Sequence, residues 1–427
     1  MTTQYPDSYY AASRNSNRIR PTLNDAIQTD VCVVGAGYTG LSTALHLAER
    51  GFQVTVLEAD RIGFGASGRN GGQIVHSYSR DMDFIERNYG KDTAVSMGKM
   101  AFEGGKIIRR FVSQYHIACD LKDGGIFAAC NPKQMRELEE KKALWEKHGH
   151  TELELLSPEQ LSQYVGTDRY EGAMLDRSGG HIHPLNLALG EADAIESLGG
   201  RLFEESAVTD IQQGKDKVVL KTAHGQVTAR FVMMAGNAYL TGLVPKLEQK
   251  AMPCGTQVIT TEPLSPALQQ QLLPKDHCVE DCNYLLDYFR LGSDGRLIYG
   301  GGVTYGAREP EKIESLIRPK MLKTFPMLKD VKIDYAWTGN FLLTLMRLPQ
   351  FGRIGDNIYY AQGYSGHGVT SSHLAGELIA SAIQGQSERF DVMAGLPQYP
   401  FPGGQLLRVP YTAIGAFWYD MRDKLGV

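Results

Sequence analysis

Residues 30–41, Asp-Val-Cys-Val-Val-Gly-Ala-Gly-Tyr-Thr-Gly-Leu, constrain the fold more than any other stretch of this chain. Cys32, Val33 and Val34 predict a short buried strand. Gly35 and Gly37 let the backbone turn and lie close to a pyrophosphate, and Gly40 removes the Cβ that would hold the next helix off the sheet. That helix is predicted over residues 39–50, with Leu41, Ala44, Leu45 and Ala48 at helical spacing and Gly51 supplying the left-handed residue beyond its end. The second strand, residues 52–58, ends on Glu58, eighteen residues past Gly40, where a carboxylate receives the ribose hydroxyls and repels a 2′-phosphate. A phosphate would rest on the free N–H groups of the helix N-terminus. Strand, helix, strand and acid together predict a Rossmann-like unit for an adenine dinucleotide.

At 427 residues the chain is long for one core, so two closely associated domains are expected. A net charge of −4, from 44 basic and 48 acidic residues, gives no electrostatic footprint for nucleic acid, which leaves small metabolites as partners. Residues 1–26 hold neither an apolar signal core nor a cleavage site. No run reaches the ~18 apolar residues needed to span a bilayer, so the expected location is the cytoplasm. The six cysteines, Cys32, Cys119, Cys130, Cys254, Cys278 and Cys282, are scattered and expected to be reduced. Cys278 and Cys282 lack a second pair, so no metal is expected.

Residues 61–73, Arg-Ile-Gly-Phe-Gly-Ala-Ser-Gly-Arg-Asn-Gly-Gly-Gln, carry five glycines, a density that suits backbone lying against something flat or phosphorylated. Helices are predicted over 83–115 and 131–148, separated by residues 119–129, which read as a hairpin. A strand at 172–176 and a helix at 185–198 follow. Residues 201–204 and 207–209 return to the nucleotide sheet, and 217–230 read as two short strands around Ala223-His-Gly225. A buried strand at 231–238 runs into small residues, where backbone can approach a ligand. Strands recur from 257 to 305 as an antiparallel block, among them 283–291 and 296–300. A helix at 370–384 closes the body. The tail, 401–427, carries Phe417, Trp418 and Tyr419 near Arg422 and Lys424; two readings stand, docking on the body or an interfacial membrane contact.

A nicotinamide dehydrogenase has no use for a glycine-rich run directly after the second strand, whereas a flavin ring must be lined by close-packed backbone. The turn Tyr364-Ser-Gly-His-Gly-Val-Thr370 opens a helix whose N–H groups and positive end suit the flavin N1/O2 edge, where negative charge collects on reduction. Two readings from other classes stay open: an NAD-dependent dehydrogenase, and a flavin carrier without a substrate of its own.

The chain resembles the FAD-dependent amine oxidases of the D-amino-acid oxidase (DAO) superfamily, and within it the bacterial γ-glutamylputrescine oxidases, with L-pipecolate oxidases as near cousins. The likeness rests on Ser8-Tyr-Tyr-Ala-Ala-Ser13, Gly63-Phe-Gly-Ala-Ser-Gly-Arg-Asn-Gly-Gly-Gln73, Ser178-Gly-Gly-His-Ile-His-Pro-Leu-Asn186, Met252-Pro-Cys-Gly-Thr-Gln-Val-Ile-Thr-Thr261, Asp281-Cys-Asn-Tyr-Leu-Leu-Asp287, Tyr335-Ala-Trp-Thr-Gly-Asn340 and Gly363-Tyr-Ser-Gly-His-Gly-Val369. It implies an α/β fold in which a Rossmann-like FAD-binding domain (27–83, 154–247 and 333–390) is interleaved with a substrate domain of antiparallel sheet plus helices (84–153 and 248–332), and a tail (391–427) docks on the body. The implied activity is oxidation of an amine C–N bond to an imine that water hydrolyses, with γ-glutamylputrescine as substrate and L-pipecolate, a cyclic imino acid, as the alternative. Reoxidation is by O2 or another acceptor.

The resemblance also implies residues. Gly35, Gly37, Tyr38, Thr39 and Gly40 would cradle the pyrophosphate, and Glu58, with Ala59 beside it, the ribose. Ala66, Ser67, Gly68, Arg69, Asn70, Gly71, Gly72 and Gln73 would line the flavin, Val208 would meet the adenine, and Ala235 and Gly236 would pass near the nucleotide. Gly366, His367, Gly368, Val369 and Thr370 would contact the ring. Sarcosine oxidases carry a carboxylate-binding lysine where this chain has Thr370, and an oxygen-activating lysine at the strand matching Leu297-Ile298, so simple N-methylglycine is a poor substrate guess and oxygen as acceptor is less secure. No cysteine follows Trp337 in place for a covalent bond, which implies non-covalent FAD. No acid or base is assigned. Substrate candidates are Tyr284, Tyr288 and Arg290, whose even spacing on one strand gives either an aromatic wall with a carboxylate clamp or a solvated sheet face. His183, which shares a face with His181, either shapes the site or is structural. Asn340 and Tyr364 could line the cavity, and Arg347 binds a carboxylate or pairs with Asp356.

Overall fold

The computed structural model describes residues 4–240, 242–307, 309–402, 404, 407–414 and 421. Phe417, Trp418, Tyr419, Arg422 and Lys424 lie outside the described residues.

Two sheets are woven from one chain. In the first, Gln350–Ile354, Ile358–Gln362, Gln226–Met234, Ala26–Val34, Val54–Leu57 and Arg201–Phe203 lie side by side in that order, with the meander Asp210–Gln213 and Val218–Lys221 attached to Gln226–Met234. The strands from Ile358–Gln362 to Arg201–Phe203 are parallel. Parallel strands are covered on both faces, and the sequence answers with a continuous apolar run. Val31 and Val33 enter one core cluster while Cys32 and Val34 enter another. The helices Tyr38–Glu49 and Gly368–Ile383 pack on each other at Gly376, where a Cβ would strike the Ser42 side chain, and Ser42 Oγ donates to the His373 carbonyl at 3.0 Å.

The second sheet runs Ile333–Thr344, Ala251–Thr261, Leu297–Tyr305, Tyr288–Leu291, Cys278–Asp281, Lys122–Ala129, Gly172–His181 and Gln73–Ile74, with Leu153–Leu156 paired to Gly172–His181. Its pairings are antiparallel except that of Cys278–Asp281 with Lys122–Ala129. Register places Met174, Phe127, Glu280, Tyr288, Gly300, Val258 and Trp337 in one row across the sheet. Directly paired residues share a face. The hydrophobic members of this row belong to the same core cluster as Val31 and Val33, so this face looks toward the first sheet. The opposite face carries Ile126, Val279, Phe289 and Tyr299 into a separate cluster beneath Ile317 and Met321.

Several expectations are corrected. Residues 119–129 are not a hairpin: Lys122–Ala129 is one strand between two partners, and Gly124, with φ +94°, sits beside a register shift in place of a turn. The helix expected at 83–115 is three helices, Met82–Tyr89, Lys91–Met100 and Glu103–Gln114, the first break falling at Gly90 with φ +90°. Residues 207–209 are not a strand, and the strand expected at 231–238 is continuous with the meander as Gln226–Met234. The strand expected at 283–291 shrinks to Tyr288–Leu291, because the Asp281 carboxylate accepts the N–H groups of Asn283 (3.2 Å) and Asp287 (3.1 Å) and folds the intervening residues into a turn. Gly172–His181 and Ile333–Thr344, which fall within the segments 154–247 and 333–390, are strands of the second sheet.

Candidate active site

The glycines at 35–40 make a closed cradle. Gly35 has φ +103°, and a Cβ there would lie 3.0 Å from the Ala235 carbonyl and 3.2 Å from Gly236 N, which places Ala235 and Gly236 against the turn. A Cβ at Gly37 would meet Ser67 Oγ at 2.9 Å; that hydroxyl accepts the Tyr38 N–H at 2.9 Å. At Gly40 a Cβ would collide with the Gly35 carbonyl and stand 3.0 Å from Val33 Cγ1, so this glycine seats the helix on the strand. Glu58 closes the turn, accepting the N–H groups of Ala36 (2.6 Å) and Asp60 (3.0 Å). Burial pushes its carboxyl up to about 7, against the opposing pull of those two N–H groups. Ala59 is exposed beside it, and Val208 packs at the edge of the cluster holding Cys32 and Leu57. The Tyr38 hydroxyl turns away to the Pro184 carbonyl at 2.8 Å.

The glycine-rich segment is strapped between the sheets. Asn70 Nδ2 donates to the carbonyls of Ala66 (3.1 Å) and Ser67 (2.8 Å), and its Oδ1 accepts the Gly72 N–H at 2.8 Å. Trp337 Nε1 donates to the Arg69 carbonyl at 2.9 Å, Arg290 Nε to the Gly71 carbonyl at 2.7 Å, and Gln73 Nε2 to the Val279 carbonyl at 2.9 Å. A Cβ at Gly71 would land on the Tyr288 ring, so only glycine lets this backbone lie flat on the row of the second sheet. Gly68 packs equally closely on the Gly63 carbonyl.

The turn before Gly368–Ile383 supplies the facing element. Ser365 and Gly366 have φ of +53° and +103°, and a Cβ at Gly366 would meet no atom within 4 Å. His367 is the N-cap residue, but no side chain caps the helix. Among the described residues its Nδ1 is buried without a hydrogen-bond partner, as is Asn340 Oδ1. Burial pushes the His367 imidazole down to about 4, so it is neutral. Thr39 Oγ1 and the Tyr364 hydroxyl share a 2.8 Å hydrogen bond, which ties the dinucleotide turn to this one, and Thr370 Oγ1 donates to the Val75 carbonyl at 2.6 Å. An uncapped helix N-terminus, open space at Gly366 and two unpartnered polar atoms are what the polar edge of a flavin would satisfy, and the cradle at 35–40 is shaped for a pyrophosphate. The residues fit FAD.

The substrate candidates separate. His183 is committed to structure: its Nδ1 accepts the Asn186 N–H at 3.1 Å as a helix cap and its Nε2 lies 3.0 Å from Ser13 Oγ. His181 points elsewhere, to the Asp276 carbonyl at 2.9 Å. Arg290 spends its guanidinium on Gly71, Leu291 (3.0 Å) and the Tyr10 hydroxyl (3.1 Å), so it struts the glycine-rich segment and is no free clamp. Tyr288 lies in the row, its hydroxyl 3.3 Å from Thr256 Oγ1. Tyr284, in the turn, does not share that strand; Arg347 donates to its hydroxyl and lies 5.0 Å from its ring centroid, and of its two expected roles the ion pair with Asp356 is not formed among the described residues.

Sequence reasoning missed the charges around this space. Lys141 Nζ lies 3.4 Å from Asp81 Oδ2 and over the rings of Phe127 (5.6 Å) and Trp145 (5.3 Å), while Trp145 Nε1 donates to Asp81 Oδ1 at 2.8 Å. Lys141, Asp81 and Arg347 all act on His367. Glu280 sits in the row between Phe127 and Tyr288. Behind it His76, His150 and Asp176 bring their ligand-type atoms within 4.8 Å of one another. Asp176 is already engaged there, accepting from Ser178 N and Oγ at 3.0 Å and lying 3.1 Å from His150 Nε2.

Comparison with known proteins agrees with this geometry. Residues 30–382 match the family model DAO, FAD dependent oxidoreductase. The chain is 64% identical over 426 residues to gamma-glutamylputrescine oxidoreductase of Escherichia coli K12, covering 100% of both chains, and 40% identical to a probable oxidoreductase, OrdL, of Haemophilus influenzae, covering 98% of this chain and 97% of that one. Among solved structures, L-proline dehydrogenase from P. horikoshii shares the fold with a TM-score of 0.72 at 21% identity, over 94% of this chain and 99% of that one. A dinucleotide cradle, a glycine-rich segment and an uncapped helix N-terminus that fit FAD, and a family match across most of the sequence converge: the chain belongs to the DAO family of FAD-dependent oxidoreductases.

Proposed function

We propose that this enzyme oxidises the terminal amine of γ-glutamylputrescine to an imine, which water hydrolyses. The observation that carries this reading is the full-length 64% identity to the Escherichia coli enzyme named for that substrate. The site supports it with charges of both signs, Glu280 and Asp81 against Lys141 and Arg347, as suits a molecule bearing ammonium and carboxylate groups together.

Gly35, Gly37 and Gly40 would admit the pyrophosphate to the N-terminus of Tyr38–Glu49, and Glu58 would hold the ribose. The backbone of 66–73 would lie along the ring, and the N–H groups of 368–370 would face its polar edge. When bound, FAD supplies the hydride acceptor for the carbon next to the amine nitrogen. The chain's part is to orient that carbon, exclude water between the two sheets and keep the amine neutral. None of the six cysteines falls within 61–73 or 363–370, which supports non-covalent FAD. No helix among the described residues is long and apolar enough to cross a membrane, and we place the enzyme in the cytoplasm. Reduced enzyme passes its electrons to O2 or another acceptor.

Anaerobic addition of amines to the purified yellow protein tests the reading. γ-Glutamylputrescine is expected to bleach the flavin absorbance at micromolar to millimolar concentration. Bleaching by L-pipecolate with no response to γ-glutamylputrescine overturns it.

A further inference from the structure

Glu280 is the one charged residue in its row. Phe127 flanks it on one strand and Tyr288 on the other, on the face that the glycine-rich segment crosses. A carboxylate among apolar neighbours is unfavourable unless a cation meets it. Among the described residues Glu280 forms no ion pair within 4.0 Å and no side-chain hydrogen bond; Lys141, whose charge acts on it, is held 3.4 Å from Asp81. The other titratable groups around it offer no counter-charge. Cys278 lies on its own strand and Cys282 just beyond that strand's end, Tyr288 adjoins it, and Asp176 lines the same small cavity from Gly172–His181. Asp281 points to the opposite face, where Arg169 takes its carboxylate at 2.9 Å. Glu280 is half-buried, and no described cation comes within 4.0 Å of it although the Lys141 charge acts on it, so its carboxylate is open to a cation from outside the chain.

We propose that Glu280 is a catalytic base, the carboxylate on which the reacting ammonium of the substrate docks and to which it yields one proton. An N–H bond breaks, an O–H bond forms on Glu280, and the electron pair stays on nitrogen. No oxidant is consumed in this step; it prepares the neutral amine whose lone pair assists loss of hydride from the adjacent carbon. The inference rests on the amine-oxidase reading above. An alkyl ammonium releases its proton in water only near pH ~10, so a docked base makes the reactive form available at neutral pH. Burial pushes Glu280 up to about 7, with Lys141 pulling the other way, and an acid of that strength is poised to exchange a proton at neutral pH.

The test compares FAD-loaded wild type, Glu280→Gln and Glu280→Asp by anaerobic stopped-flow reduction with γ-glutamylputrescine from about pH 6 to about pH 10. FAD content, flavin spectrum and melting temperature establish that each variant is folded. Glu280→Gln is expected to be reduced about 100-fold more slowly at pH 7 and to gain about tenfold per pH unit until the free amine predominates, closing most of the gap. Glu280→Asp, which keeps a base, is expected to retain the wild-type pH profile at a lower rate. A Glu280→Gln rate within threefold of wild type at every pH overturns the proposal, as does a slowing by one constant factor across the range. If γ-glutamylputrescine fails to reduce the wild type, the substrate reading fails alone, and the same comparison is made with L-pipecolate or whichever other amine bleaches the flavin.

Discussion

Alanine at Gly40 should damage the cofactor site far more than alanine at Gly51, although one glycine lies in the first turn of the same helix that the other follows. Gly40 has no room: its Cβ would collide with the Gly35 carbonyl and press on Val33 at 3.0 Å. Neither neighbour is the far end of a flexible side chain, so the helix start must lift off the strand. Overpacking of this kind costs ~1–3 kcal/mol, offset by at most ~1 kcal/mol of alanine's better helix propensity. The displaced groups are those proposed to hold the pyrophosphate, so a shift worth ~1.4–2.8 kcal/mol in cofactor binding weakens FAD by about 10- to 100-fold. Gly51 has φ +80° and no atom within 4 Å of its Cβ position, so alanine there suffers only left-handed strain of ~1–2 kcal/mol. Titrating FAD into apoprotein, followed by quenching of flavin fluorescence, separates the two. Gly40→Ala should bind poorly and lose up to ~2 kcal/mol of apoprotein stability, whereas Gly51→Ala should lose a similar ~1–2 kcal/mol yet bind within about twofold of wild type. A Gly40→Ala protein with wild-type FAD affinity refutes the argument.

Glu58 makes apoprotein stability depend on pH: with its folded pKa raised to about 7 from 4.5, the folded chain binds more protons than the unfolded one between those values, so this group's contribution is present below the lower value and lost as pH rises through the upper. Melts of apo Glu58→Gln from about pH 5 to about pH 8 should lack that part of the decline, while its FAD binding weakens. Arg169 lies 2.9 Å from Asp281 and 3.2 Å from Asp287, and Arg169→Met, which leaves two buried carboxylates short of a partner, should cost ~3–5 kcal/mol in a urea titration. His183→Ala, which removes the cap on Asn186 N, should lower stability by ~1 kcal/mol while leaving the flavin reduction rate within about twofold, as expected of a structural histidine.

What the sequence made legible was local. The cradle of Gly35, Gly37 and Gly40, the segment 61–73 and the turn at 363–370 announce themselves because glycine spacing reports backbone needs without reference to the rest of the chain. The hydrogen bond that joins Thr39 to Tyr364 is not encoded in any spacing, although both residues stood out. Strand register was the larger obstacle. Glu280, Phe127 and Tyr288 become neighbours only through the parallel pairing of Cys278–Asp281 with Lys122–Ala129 and the antiparallel pairing beyond it. Even spacing misled at Tyr284, because Asp281 captures two backbone N–H groups and curls the chain before the strand begins. Arg290 and His183 were recognisable as polar residues near the site, but their hydrogen-bond partners, which commit them to holding backbone, come from distant segments.

A crystal structure of the FAD-loaded enzyme with an unreactive amine analogue tests the central claim directly. The ring is expected between the two sheets, with its N1/O2 edge hydrogen-bonded to the N–H groups of 368–370 and the amine nitrogen on Glu280 in the row beside Phe127 and Tyr288. A ring that packs away from the turn at 363–370, or an amine seated on another element, contradicts it.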